Sequence, residues 1–219
     1  MLTQGQALAL LDGAWLSIQI TVIGIIGGVL LGMVIALGRI SRNKVLNVLT
    51  WFYVWVFRGT PLLLQLFVVV YALPLLTLDI FGTAVKLPLM IAAYLTYSIN
   101  SGAYLAEIFR AGIQSIDKGQ MEAAKALGMS YNQAMFKIII PQSYRRLIPP
   151  VGNELIMLIK DTSLVASIAM FDILRTVNQM SNATGKAHYY IYAALIYLFF
   201  TSIIQYVFGK VEAKYAMYE

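Results

Sequence analysis

Residues 119–141 read GQMEAAKALGMSYNQAMFKIIIP, a half-polar stretch inside a 219-residue chain that is 60% hydrophobic and only 12% charged. That composition is too apolar, and too poor in surface charge, for a soluble domain of this size. The chain belongs in a bilayer, so the stretch has to connect membrane-spanning helices. Its internal order is specific. Asp117 stands as an N-cap, residues 118–127 are good helix formers, and Gly128 is the natural left-handed stop. Ser130 then opens a second helix, with Gln133 three residues on as its capping-box partner. Small Ala123 and Ala124 let a foreign surface approach the backbone, while Met121, Leu127 and Met129 offer apolar contact. Two readings fit this pattern: a docking device for another protein, or an amphipathic helix lying on the membrane interface.

A span needs roughly 20 largely apolar residues. Residues 14–38 supply one, with Gly24, Gly27, Gly28, Gly32 and Gly38 allowing another helix to approach closely. Residues 45–76 are too long for one straight span and are interrupted by Arg58-Gly59-Thr60-Pro61. That quartet reads as an interfacial elbow, followed by a helix capped by Thr60 with Pro61 at its first position. Residues 87–109 and 189–208 are further spans. Residues 138–170 are apolar but broken by Pro141, Pro149, Pro150, Glu154, Lys160 and Asp161. They predict one crossing ending near Ile159, then a segment from about Ser163 whose role the sequence leaves open. The expected fold is an all-α membrane protein of about five spans in one domain, 1–219, with a cytoplasmic helix between spans three and four.

Orientation follows from charge. With the N-terminus outside, the inner segments hold Arg39, Arg42, Lys44, Arg110, Lys118, Lys125, Lys137, Arg145, Arg146, Lys210 and Lys214, which are eleven of the sixteen basic residues. The positive-inside rule then places residues 119–141 and the C-terminus in the cytoplasm. Tyr189, Tyr190 and Tyr192 fall where an outer aromatic belt would lie. The net charge of +6 could suggest nucleic acid, but in a membrane chain the position of the cations matters more than their sum. Lipid is the expected partner, and nucleic acid is not. Residues 1–13 contain no Lys or Arg, so no cleavable signal peptide is expected. The absence of Cys removes disulfides and thiol chemistry, and lone His188 has no visible metal partner.

The spacing Glu122-Ala123-Ala124, Gly128, Ile138, Pro141 resembles the EAA loop of permease subunits of ABC importers, with Ile140 in place of the usual Leu. Three more stretches resemble the polar amino acid uptake permeases: Arg58-Gly59-Thr60-Pro61 with residues 62–67; Ala106-Glu107 through Ser115; and Pro149-Pro150-Val151-Gly152-Asn153-Glu154 through Leu164. The likeness covers nearly the whole chain. It implies that Gln120, Met121, Glu122, Ala123, Ala124, Leu127, Gly128 and Met129 form a coupling helix seated on a cytoplasmic ABC ATPase. No G-x-x-x-x-G-K-[ST] loop occurs in the chain, so ATP and magnesium are expected on that partner and no cofactor here. A second permease copy or paralogue and an extracytoplasmic amino-acid-binding protein complete the implied assembly.

Ionisable groups inside a membrane are costly and by default suggest function. Glu154 lies well inside the fourth span beside Asn153, and on a helix it shares a face with Met157 and Asp161. A second polar stripe, Tyr97, Asn100, Ser101 and Tyr104, runs down the third span at helical spacing. Two such stripes can line one cavity. The implied amino acid substrate needs a carboxylate for its ammonium and donors such as backbone amides, Ser163 or Lys160 for its carboxylate. Glu154 and Asp161 together tilt the expectation toward arginine, lysine or histidine. Each residue also has a plain structural reading: Asn100, Ser101 and the tyrosines as bonds between helices, Lys160 and Asp161 as solvated groups, Glu107 with Arg110 as a local ion pair, and Arg58 as a headgroup or helix-end ligand. The competing class is a stand-alone secondary transporter or channel, which the odd span number and lack of an inverted repeat fit poorly. Metalloprotease and serine-hydrolase motifs are absent.

Overall fold

Thr3 starts the first helix, α1 (Gln4–Ile40), through a reciprocal capping box. Its Oγ1 accepts from the Gln6 N–H at 3.3 Å, while Gln6 Oε1 accepts from the Thr3 N–H at 2.9 Å. The computed structural model describes residues 2–216, and the described residues are helical with no strand. Asn43 then caps α2 (Lys44–Gly59), accepting from the N–H groups of Val45 and Leu46. The remaining elements are α3 (Leu62–Phe81), α4 (Leu89–Gln114), α5 (Lys118–Ala126), α6 (Tyr131–Ala134), α7 (Ile140–Asp161), α8 (Ile173–Thr184) and α9 (Tyr189–Ala216).

The elbow between α2 and α3 is where the sequence places it, but its cap moves by one residue. Pro61 is the N-cap of α3, and Thr60 Oγ1 turns back to donate to the Val56 carbonyl at 2.8 Å. The hydroxyl satisfies an acceptor freed at the end of the preceding helix rather than a donor of the next.

Prolines do not break the later helices. Pro149 and Pro150 both lie inside α7, so the expected irregular backbone around Pro149-Pro150-Val151-Gly152 does not occur. In a membrane bundle, neighbouring helices and local adjustments accommodate prolines that would stop an isolated helix. Two widened π turns, Val68–Ala72 and Met135–Ile139, are such adjustments. Each directly precedes an apolar residue followed by proline, at Leu73-Pro74 and Ile140-Pro141. The Leu73 N–H bonds to the Val68 carbonyl and the Ile140 N–H to the Met135 carbonyl, one residue further back than in an α-helix. A proline ring crowds the carbonyl four residues earlier, and widening the turn moves that carbonyl aside.

The most extensive packing in the bundle is between α1 and α4. Small residues make it possible: a Cβ added at Gly28 would lie 2.9 Å from Ser101 Cβ, and one added at Gly32 would lie 2.9 Å from Leu105 Cβ. Ile20 of α1, Leu66 of α3, Tyr97 of α4 and Leu158 of α7 meet in one buried apolar cluster. After Asp161 the chain tightens into a 3₁₀ segment, Thr162–Ile168, and turns at Ala169, whose φ of 67° is left-handed. Buried Asp172 then caps α8 through the N–H groups of Leu174 and Arg175. At 12 residues α8 is shorter than the roughly 20 that a span needs. It packs instead against α1 and α9.

The outer face is apolar, with Trp15, Trp51, Trp55, Leu75, Ile80 and Phe199 exposed. Among the described residues, three helices are long and apolar enough to cross a membrane on length and composition alone: Gln4–Ile40, Leu62–Phe81 and Tyr189–Tyr215. Helices α4 and α7 have the length, at 26 and 22 residues, but carry polar stripes and charges.

Candidate functional site

A cavity of about 460 Å³ opens where the α2–α3 elbow faces α4 and α7. That volume lies within the ~300–1,000 Å³ usual for small-molecule sites. One wall is Arg58-Gly59-Thr60-Pro61 with Leu62 and Leu63. The other carries Asn100 and Tyr104 from α4 and Glu154, Met157 and Asp161 from α7. The helical face predicted for Glu154, Met157 and Asp161 is thus the face that lines the cavity.

The Glu154 and Asn100 side chains, and the backbone at Asp161, are held by bonds to neighbouring helices. Glu154 is 7% exposed, and Ser101 Oγ donates to its Oε1 at 2.9 Å. The Tyr97 hydroxyl donates to the Asp161 carbonyl at 2.6 Å, fixing the end of α7. Asn100 Nδ2 donates to the Phe57 carbonyl at 3.1 Å and to Gln65 Oε1 at 3.0 Å. Gln65 Nε2 in turn donates to the carbonyls of Phe57 and Thr60 at 2.9 and 3.0 Å. These bonds satisfy carbonyls left open where α2 ends. The Arg58 guanidinium sits 5.2 Å from the centre of the Tyr104 ring, within cation–π range.

Of the residues singled out in the sequence, the structure brings Asn100, Tyr104, Glu154 and Asp161 onto the cavity wall. Tyr97 and Ser101 are buried behind it and act as helix-to-helix bonds. Asn153 is exposed, a helical step away from Glu154, and Ser163 lies in the 3₁₀ segment; neither is on the wall. Gln65 and the elbow itself were missed as parts of the site. The signal for Gln65 was present: it is the one polar residue in the run from Leu62 to Ala72 apart from Tyr71.

The connecting segment folds as its caps dictate. Asp117 Oδ1 accepts from the Gly119 N–H at 2.6 Å. The Gly128 N–H bonds to the Lys125 carbonyl at 2.9 Å and the Met129 N–H to the Ala124 carbonyl at 3.0 Å, the paired bonds of a Schellman ending. Gly128 has φ 79°, and Ser130 and Gln133 form their capping box. Gln120, Glu122, Ala123, Leu127 and Gly128 are exposed, Leu127 at 82%, while Met121 and Met129 are half-buried. Ala124 is buried; α5 packs on α6 and the π turn that follows it. The segment is therefore a helical shelf tied into α7, with its apolar tip outward.

Glu107 and Arg110 pair as expected, at 2.6 Å, but Glu107 also holds Arg39 of α1 at 3.1 Å. Arg39 is bonded to Asn47 of α2 as well, so one carboxylate joins three helices above the shelf. The His188 ring stacks on Tyr189 with centroids 4.4 Å apart. Among the described residues no cluster of three or more His, Cys, Asp or Glu could hold a metal ion.

A helical membrane chain with a polar cavity between its helices and an exposed helical shelf fits a transport permease. The comparisons agree: residues 28–216 match the family described as binding-protein-dependent transport system inner membrane component, and the chain belongs to it. Its relatives include permease proteins named for amino acid transport. The arginine transport system permease protein ArtQ of Bacillus subtilis (strain 168) is 38% identical over 206 residues, covering 94% of this chain and 91% of that protein. The putative glutamine transport system permease protein GlnP of Rickettsia bellii (strain RML369-C) is 34% identical over 208 residues, covering 94% and 93%. A crystal structure of an amino acid ABC transporter with histidines superposes with a TM-score of 0.86 at 34% identity, covering 95% of this chain and 94% of that one.

Proposed function

We propose that residues 1–219 act as one permease domain that moves polar amino acids, cationic ones preferentially, by alternating access driven from a separate ABC ATPase. The observation that carries the substrate reading is the cavity, where Glu154 and Asp161 of α7 stand across from Arg58 at the α2–α3 elbow. A zwitterion needs both signs. Glu154 takes an ammonium, Arg58 with the elbow backbone takes the carboxylate, and Asp161 provides the second acid that a cationic side chain requires. The bond from Ser101 holds the Glu154 carboxylate, and those from Tyr97 and Asn100 hold the backbone at Asp161 and at Phe57 beside the elbow. Relatives named for glutamine and for arginine each match over 94% of this chain, so substrate choice rests on such side chains rather than on the architecture.

In this reading α4 and α7 are the two remaining crossings, giving about five in all, with polar stripes that face the cavity rather than lipid. The N-terminus is outside and the shelf α5–α6 cytoplasmic, as the distribution of Lys and Arg favours. Gln120 to Met129 seat on the ATPase, and closure of two ATPase subunits pushes α7 through the rigid shelf. Two permease chains, identical or paralogous, enclose the path, and an extracytoplasmic binding protein delivers substrate. Lysine or arginine uptake into vesicles holding the chain with its ATPase, with the binding protein supplied outside, should require internal ATP. Equal uptake without ATP, driven by an ion gradient, would replace this reading with a secondary transporter.

A further inference from the structure

A second cavity, about 560 Å³, lies at the base of the shelf between the end of α4 and the start of α7. Lys137, Arg145 and Arg146 line it with Gln142, and among the described residues no acidic side chain does. Its remaining lining is apolar, from Ile116, Ile138 and Pro141. Two of its walls are fastened: Arg146 donates to the Ser115 carbonyl at the end of α4, and Gln142 Nε2 to Gln120 Oε1 of the shelf at 3.3 Å. Phe136 and Tyr144 are exposed on the same stretch, at 62% and 57%. Cations gathered over an apolar floor, beside exposed aromatic rings at the end of a membrane helix, match an anionic headgroup with acyl chains alongside it.

We propose that this cavity binds the phosphate of an anionic phospholipid of the cytoplasmic leaflet. The proposal rests on the orientation given above, which puts α5–α6 on the cytoplasmic side. The site adjoins the π turn at Met135–Ile139 through Lys137 and Ile138, so a bound headgroup braces the joint between shelf and α7. The apolar lining favours a lipid over an acidic segment of the ATPase, which would leave that lining uncovered.

The test uses the permease–ATPase complex in nanodiscs of phosphatidylcholine with a minor fraction of phosphatidylglycerol, with retained lipid read by native mass spectrometry. The wild-type complex should retain phosphatidylglycerol in preference to phosphatidylcholine. Lys137→Gln with Arg145→Gln should weaken that retention about thirtyfold, as loss of two near-surface charges predicts, while Lys137→Arg should preserve it. Inorganic phosphate or glycerol phosphate at millimolar level should not displace the lipid. A complex that keeps its ATPase but retains phosphatidylglycerol equally in wild type and the double variant would overturn the lipid site and leave the proposed function standing. Displacement by inorganic phosphate would make the site one for free anions. Loss of the ATPase from the double variant with lipid retention unchanged would assign the cavity to the partner protein.

Discussion

The shelf at residues 117–134 and the cavity wall at 154–164 are joined by the same helix, yet they are specified in different ways. The shelf is set by signals that act over four residues: Asp117, Gly128, Ser130 and Gln133 each form the cap their positions imply. The wall is set at a distance, by Ser101 and Tyr97 of α4, which hold Glu154 and the end of α7. A surface that serves as one rigid shape can be encoded locally. A binding cavity has to be assembled from several helices.

That difference predicts separable failures. The largest is expected at the wall: Glu154→Gln should lower transport of cationic amino acids about tenfold to hundredfold, the range of a lost charge-assisted bond, with the complex still assembled. Unchanged kinetics and substrate range would remove Glu154 from the site. At the shelf, Gly128→Val forces a β-branched residue to a φ of 79°, at a cost of about 2 kcal/mol. Substrate binding should survive in that variant while ATP hydrolysis no longer drives uptake; normal coupling would count against the shelf as the transmitter. Tyr97→Phe removes the bond to the Asp161 carbonyl and should destabilise the fold by about 1 kcal/mol in thermal unfolding, weakening substrate binding in parallel. An effect on stability without one on binding would detach that bond from the wall. The smallest pair refines the shelf alone: Ser130→Ala should cost about 1 kcal/mol and Ser130→Gly only a few tenths, read as amide exchange in α6.

The same contrast explains what the sequence made legible. Helix content, the elbow after Gly59, and the hinge at Gly128 follow from composition and from residues with one strong local preference. Glu154 and Asp161 could be paired on one face because both lie on α7. Asn153 could not be separated from Glu154 without knowing which face of α7 turns inward. Pro149 and Pro150 read as a break because local propensity penalises them, and packing in the bundle overrides that penalty. Thr60 was expected to cap α3 because its neighbour on the other side, the Val56 carbonyl, becomes available only once α2 has formed. Arg39 was invisible as a partner of Glu107, since the two are brought together only by the glycine-lined contact of α1 with α4.

In the proposed function, amino acid selection resides in the cavity walled by Glu154 and Asp161. Isothermal titration of a panel of amino acids into the purified permease–ATPase complex, without the binding protein, tests this. Selective binding of arginine, lysine or histidine, abolished by Glu154→Gln, is the predicted result. No binding to a folded, ATPase-active wild-type complex would contradict it, and would place selection wholly in the external receptor.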